Sequence, residues 1–248
     1  MTIDPIERLA DSRDGLDRVA QRFERAQARR TATDGRDSSG QVTVRTDPDG
    51  DVTDVIIGTN WQSLLDPEQL GAAVVAAYND AGLTAAKQWG LELADALDEP
   101  EPATRPLPGV SDSVVGRLDA LVTPEQLAER SDASMSAMIE LLEQVVGDVD
   151  RVSADAAALA ARTITGEAQG ARVTVSGTGH LITVELDPDW TSGTSASSVS
   201  RFVMTAHRQA RREARARTVE DLVADSSIGE LERLSRDPRA LAERLRLL

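Results

Sequence analysis

An internal repeat constrains the fold of this chain more than any other feature. Residues 40–61, GQVTVRTDPDGDVTDVIIGTNW, resemble residues 170–190, GARVTVSGTGHLITVELDPDW. After a turn that is two residues shorter in the second copy, Trp61 falls on Trp190, 129 residues later. The same offset pairs Val55 with Val184, Ile57 with Leu186, Ala77 with Ala206, and Ala81 with Ala210. Because chance rarely preserves register over such a length, we interpret the chain as a tandem duplication.

Each copy is predicted to form a long helix, an antiparallel hairpin and a second helix. Alternating valines on both sides of the turns DPDG and SGTG predict the hairpins. Asp66, Pro67 and Gln69 form a start signal for the second helix of the first copy. Apolar residues spaced by three and four predict a narrow coiled-coil seam on the first helix of the second copy: Met135, Met138, Leu142, Val145, Val149, Val152, Ala156 and Leu159. The first copy carries a weaker seam of Ile6, Leu9, Leu16, Val19 and Phe23.

These elements predict an α+β fold with two tandem units. We place the first unit at residues 1–97 and the second at 113–218, joined by a linker at 98–112 that is rich in proline and acidic residues. Residues 219–248 are predicted to form a short helical tail. The long helices of the two units are expected to pack together, so that the chain forms an intramolecular pseudo-dimer.

Composition narrows the class of protein. The chain has no cysteine, which excludes disulfides and thiolate chemistry. No apolar run approaches the roughly 18 residues that span a bilayer, and the N-terminus lacks the apolar core of a signal peptide. We therefore expect a cytoplasmic protein without a membrane partner. The net charge of −15 opposes nonspecific attraction to nucleic acid, but residues 199–218 hold six arginines and one glutamate.

The segment VVAAYNDAGLTAAKQ (residues 74–88), preceded by a long helix and a glycine-led VTV hairpin, resembles the YbaB/EbfC family. The family's A-x-N-D-A motif stands here as Ala77, Asn79, Asp80 and Ala81. The resemblance covers residues 3–95 and, more weakly, 131–218. It implies a small bacterial nucleoid-associated protein that binds DNA, has no enzymatic activity and forms tweezer-shaped dimers. The second copy departs from the motif, with Arg208 and Gln209 in place of Asn79 and Asp80.

The basic segment predicts a helix with a stripe of arginines. At about 100° per residue, five arginines share an arc of about 100°, opposite a small apolar face: Arg201, Arg208, Arg211, Arg212 and Arg215. Guanidinium groups can bind phosphates bidentately and release counterions, so this stripe is a candidate DNA-binding surface. Two alternatives remain open. The arginines could pair with acidic residues of the first copy or the tail, or they could form a patch for a partner protein.

Other candidate sites are weaker. The acids of DPDGD (residues 47–51), with Asp54, approach calcium-loop spacing, but the glycine comes before the required position and no glutamate follows at the right distance, so we interpret the segment as a hairpin turn. His180 and His207 lack neighbouring ligands in the sequence. We therefore predict no catalytic residue, metal or cofactor. Trp61 and Trp190 are predicted to pack between sheet and helix.

Two functions remain as hypotheses. The first is a nucleoid-associated protein that binds duplex DNA with little sequence preference through the arginine stripe. The second is an acidic protein-binding adaptor or chaperone, since divergent members of this family in actinobacteria accompany type VII secretion systems. The net charge favours the adaptor, whereas the resemblance and the basic helix favour DNA, which we rank first. Further homodimerisation and the role of the tail stay open.

Overall fold

A computed structural model describes residues 5–106, 114–216 and 218–248. They fold into two compact units that do not coincide with the two copies of the repeat. Unit one combines residues 1–105 with 163–215, and unit two combines 106–162 with 216–248. The sheet and second helix of the second copy therefore fold with the first copy, whereas its long first helix folds with the tail.

In unit one, each copy contributes a three-stranded antiparallel sheet followed by a helix. The first copy comprises α1 (Pro5–Ala28), β1 (Thr33–Arg36), β2 (Val42–Thr46), β3 (Val52–Ile57), 3₁₀ turns at Trp61–Ser63 and Pro67–Gln69, and α2 (Leu70–Asp98). The second copy contributes β4 (Thr163–Ala168), β5 (Ala171–Ser176), β6 (Leu181–Leu186), α5 (Pro188–Ser192) and α6 (Ala196–Ala214). The strand orders β1-β2-β3 and β4-β5-β6 are the same, as expected for duplicated units.

The two copies share one hydrophobic core in unit one. Valines of both hairpins and both second helices are fully or almost fully buried in it: Val42, Val44 and Val74 from the first copy, and Val173, Val175, Val199 and Val203 from the second. Helix α2 packs on its own sheet and on β6, and α6 packs on its own sheet and on β3. The sheets and the second helices therefore join the two copies in this unit.

Close backbone approach explains how the second helices cross to the opposite sheet. A Cβ at Gly71 of α2 would overlap the carbonyl oxygen of Val184 on β6, so only glycine fits there. At the equivalent position in α6, the Ser200 hydroxyl accepts a hydrogen bond from the Ile57 amide on β3 at 3.3 Å. Within unit one, α1 packs on α2 through Phe23 and Trp89.

The beginning of the predicted linker is held against α1. The Arg105 amide donates to Asp17 Oδ2 at 2.7 Å, and Glu99 forms ion pairs with Arg25 and Arg29. Residues 107–112 of the predicted linker lie outside the described residues.

In unit two, the long helix α4 packs against the C-terminal tail. The unit comprises α3 (Val114–Asp119), α4 (Pro124–Ala161), α7 (Val219–Ala224), α8 (Ser227–Arg236) and α9 (Pro238–Arg244). Thr123 and Gln126 form the capping box that starts α4. The hydrophobic core of unit two consists of Leu141, Leu234, Leu241, Ala242, Leu245 and Leu247. The predicted helical tail is thus confirmed.

The predicted seam of α4 is not the face that the tail covers. Leu141 is 1% exposed, whereas the neighbouring seam residue Leu142 is 52% exposed. Met135, Met138 and Val149 of the seam are exposed as well, together with Ile139 and Val146. The predicted stripe is thus exposed in its first half, whereas Leu159 near its end is 9% exposed, and the tail packs beside the exposed part through Leu141. Within the described residues, none of the helices is long and apolar enough to cross a bilayer.

Candidate nucleic-acid interface

Helix α6 carries the candidate interface and has the predicted two-sided character. Ser195 caps its first turn by accepting a hydrogen bond from the Ser198 amide at 3.3 Å. The small apolar residues Val199, Val203, Ala206 and Ala210 are buried. On the opposite side, Arg201, Arg208 and Arg212 are exposed. The buried face fixes the helix on the sheets and leaves these guanidinium groups at the surface.

Alanine pairs allow each second helix to lie unusually close to its own sheet. A Cβ at Gly166 of β4 would overlap the backbone of Ala206 and Ala210, and a Cβ at Gly35 of β1 would overlap that of Ala77 and Ala81. The two alanines of the family motif therefore have a packing role in this fold, and the second copy has kept it.

The polar part of the family motif also holds the sheet edge. Asp80 Oδ2 accepts a hydrogen bond from the Arg36 amide of β1 at 2.9 Å. In the second copy, Gln209 Oε1 accepts from the Glu167 amide at the equivalent place, at 3.4 Å. Replacing Asp80 by Gln209 thus retains the contact, while Asn79 is exposed.

Two of the five predicted arginines are paired with an acidic residue of the first copy. Asp51, in the turn between β2 and β3, forms ion pairs with both Arg211 and Arg215. The side chains of Asp51 and Arg211 are only 13% and 20% exposed. Burial, and secondarily the charge of Arg215, lowers the pKa of Arg211 from its ordinary value. The stripe therefore contains two paired arginines, Arg211 and Arg215, and three unpaired ones.

The unpaired arginines are Arg201, Arg208 and Arg212, which form no ion pair with a carboxylate in the described part of the chain. Arg201 lies 4.8 Å from the ring centre of Phe202, and Arg212 Nε donates to the Arg208 carbonyl at 3.4 Å. A surface groove of about 620 Å³ runs between α6 and β3, and Arg201 and Arg208 are among the residues that line it.

A second cavity of about 470 Å³ lies beside the paired arginines, Arg211 and Arg215. It is lined by Asp47, Asp51, Val52, Thr53, His207, Arg208, Arg211, Arg212 and Arg215. His207 is only 4% exposed, and burial together with the charge of Arg208 lowers its pKa to about 4. The imidazole is therefore neutral at physiological pH, and its Nδ1 has no hydrogen-bond partner among the described residues.

Sequence reasoning missed the residues of the first copy that face α6. Asp51 was assigned only to a hairpin turn, which the structure confirms, because Asp47 Oδ1 accepts from the amides of Asp49 and Asp51 at 2.9 Å. The repeat itself held a signal, since the offset of 129 places Asp51 on His180. His180 Nδ1 lies 2.8 Å from the Tyr78 hydroxyl on α2.

Within the described residues, no three histidine, cysteine or acidic side chains are grouped so as to hold a metal ion.

Comparisons with known proteins agree with the duplicated architecture. No curated protein and no solved structure matches the chain. The model of the YbaB/EbfC DNA-binding family matches it twice, at residues 8–99 and 132–224. The two matches fall on the two copies of the repeat and confirm the tandem duplication, and together they cover well over half of the sequence. The chain belongs to the YbaB/EbfC DNA-binding family.

Proposed function

We propose that this protein binds duplex DNA with little sequence preference through the arginine stripe of α6. Family membership supports a nucleoid-associated DNA-binding role. The observation that carries the finer proposal is the exposure of Arg201, Arg208 and Arg212 on one face of a well-packed helix, without a carboxylate partner in the described residues. In a chain with a net charge of −15, three such arginines form a local site for anions.

The chemistry of the stripe favours backbone contacts over base contacts. Arg201 and Arg212 are 11 positions apart in α6, which corresponds to about 16 Å along the helix axis. Guanidinium groups over this length can reach several phosphates of a duplex, and each can donate two hydrogen bonds to a phosphate. Phosphate contacts position a protein without reading the sequence, so little sequence preference is expected.

Binding measured against salt tests this function. If three phosphates are neutralised, the logarithm of the association constant should fall with the logarithm of salt concentration with a slope of about −2.7. Fluorescence anisotropy should give similar affinities for two duplexes of unrelated sequence. Duplexes of about 20–30 base pairs are longer than the stripe. A flat salt response, or no binding at low salt, would exclude the proposal.

Charge reversal locates the binding surface. The triple variant Arg201→Glu, Arg208→Glu, Arg212→Glu should lose at least about tenfold in affinity, because it removes all of the unpaired cations of the stripe. The matched control, which changes the net charge by the same amount, is Arg236→Glu with Arg239→Glu and Arg246→Glu, since these tail side chains are 75%, 77% and 55% exposed and lie outside α6. Equal losses in both variants would indicate a general effect of net charge. Circular dichroism verifies that both variants remain folded.

The exposed stripe of α4 favours a second candidate function, an adaptor that binds a cationic amphipathic helix of another protein. Large exposed apolar patches mark interaction surfaces. Residues 124–161 carry eight acidic and two basic side chains, so a helix with basic flanks fits the charge around this stripe. A synthetic helical peptide with a leucine stripe and lysine flanks should bind, and Leu142→Glu should abolish binding. Self-association of the protein in sedimentation experiments would assign the stripe to homodimerisation instead.

A further inference from the structure

We propose that Arg211 and Arg215, with His207 beside them, form a phosphate-binding site that the Asp51 carboxylate keeps closed by occupying it. The inference deepens the proposed function and rests on it, because the same helix would present this site to DNA. Its ligand chemistry is a phosphate group, supplied by a DNA backbone or by a free phosphate compound.

The two arginines already converge on one oxyanion. Asp51 Oδ1 pairs with Nη2 of Arg211, and Asp51 Oδ2 pairs with Nη2 of Arg215. Two guanidinium groups that clamp the two oxygens of a carboxylate can clamp two oxygens of a phosphate in the same way. The carboxylate therefore stands where a phosphate would bind.

The guanidinium group of Arg211 is held in place by the other hairpin turn. Its Nη1 donates to the Thr178 carbonyl at 2.7 Å. Gly179, with φ of 88°, lies directly against it, and a Cβ at this position would overlap Nη1. The turn between β5 and β6 thus leaves room for the arginine and orients it towards Asp51.

Unused hydrogen-bonding groups remain around the clamp. Nδ1 of His207 and Nε of Arg211 are buried and have no partner among the described residues. Both residues line the 470 Å³ cavity, in which four arginines outnumber the two carboxylates of Asp47 and Asp51. A cavity with excess positive charge and unpaired polar atoms fits an anionic ligand.

The equivalent place in the other half of the pseudo-dimer lacks this chemistry. The offset of 129 puts His180 at the position of Asp51, and puts Gly82 and Ala86 of α2 at the positions of Arg211 and Arg215. The clamp therefore does not follow from the shared architecture, and is a feature of the second copy's helix and the first copy's turn.

Opening the clamp tests the inference with DNA. Asp51→Asn removes the competing charge, so duplex affinity should rise at least about threefold, and the salt slope should steepen by about 1 to 2 as two further arginines reach phosphates. The matched control is Asp49→Asn, an exposed residue of the same turn that is not paired with an arginine in the described structure. Equal gains in the two variants would reduce the effect to net charge and overturn the inference.

A free anion separates this inference from the proposed function. In calorimetry with inorganic pyrophosphate, Asp51→Asn should bind while the unmodified protein binds at least about tenfold more weakly, and adding Arg211→Gln and Arg215→Gln should remove the binding. Asp51→Ser provides a second opened variant should Asn disturb the turn. DNA binding without either gain keeps the proposed function and excludes the clamp. Pyrophosphate binding without DNA binding keeps the phosphate site and excludes the proposed function.

Discussion

Asp51 and His180 occupy equivalent positions in the two turns that join the last strands of the sheets, and each contacts the second helix of the opposite copy. Asp51 pairs with Arg211 and Arg215 on α6, whereas His180 Nδ1 lies 2.8 Å from the Tyr78 hydroxyl on α2. The two copies are thus connected reciprocally, by an ion pair on one side and by a hydrogen bond between a phenol and an imidazole on the other.

The hydrogen bond between Tyr78 and His180 should contribute modestly to stability. Tyr78→Phe removes only the hydroxyl group and should lower the free energy of unfolding by about 1 kcal/mol, as for an ordinary hydrogen bond. Urea denaturation measures this loss. In a His180→Ala background the same substitution should cost less, because only the contact with the Leu181 backbone remains for the hydroxyl group. An equal loss in both backgrounds would show that the hydroxyl group stabilises the fold in another way.

The strand glycines should resist substitution. Gly35→Ala and Gly166→Ala should each lower the free energy of unfolding by about 1–3 kcal/mol or more, since the added methyl group would overlap helix backbone. Gly82→Ala and Gly90→Ala are matched controls in α2 with open space at the Cβ position, and should be neutral or stabilise by about 0.5–1 kcal/mol. Thermal unfolding of the four variants provides the comparison. Equal behaviour of both pairs would contradict the close helix–sheet approach.

His207 should make stability depend on pH. Its pKa is lowered from 6.5 to about 4 by burial first and by Arg208 second, so the unfolded state binds the proton more readily. The stabilising effect is complete above pH 6.5 and is lost as pH falls towards 4, by about 3 kcal/mol in total. His207→Gln should flatten this part of the pH profile of unfolding free energy. An unchanged slope in His207→Gln would contradict the burial effect.

Truncation of two adjacent leucines of α4 should have very different effects on stability. Leu141→Ala should cost about 2–5 kcal/mol, because Leu141 is 1% exposed in the core of unit two. Leu142→Ala should change stability by less than about 0.5 kcal/mol, because Leu142 is 52% exposed. Denaturant unfolding followed by helical circular dichroism distinguishes the two. A large cost at Leu142 would show that its stripe is covered in solution.

Local patterns predicted the elements that depend on local chemistry. The start signal of Asp66, Pro67 and Gln69 corresponds to the capped turn directly before α2. Alternating valines predicted β2, β3, β5 and β6. Strand β1 escaped prediction because it has no apolar alternation, and Gly35 faces α2 where a core side chain would normally stand. The exposure of the first half of the apolar stripe of α4 could not be predicted, since periodicity shows that a face is apolar but not what covers it.

In the candidate site, too, the features within one helix were predicted and the contacts between distant residues were not. Helical spacing predicted the arc of arginines and the buried alanines, because both lie on a single helix. The pairing of Arg211 and Arg215 with Asp51 joins residues 160 and 164 positions apart in the chain, and no periodicity reports such a contact. Only the register between the two copies pointed to Asp51, through its equivalence to His180.

Fusion of the two copies into one chain has a genetic consequence. In a dimer of identical subunits, every substitution appears at both symmetry-related places, so an acidic turn opposite a basic helix would arise twice or not at all. Here a mutation at codon 51 leaves codon 180 untouched. The two junctions can therefore diverge independently, one towards an ion pair and the other towards a tyrosine–histidine hydrogen bond, without either change being imposed on its counterpart.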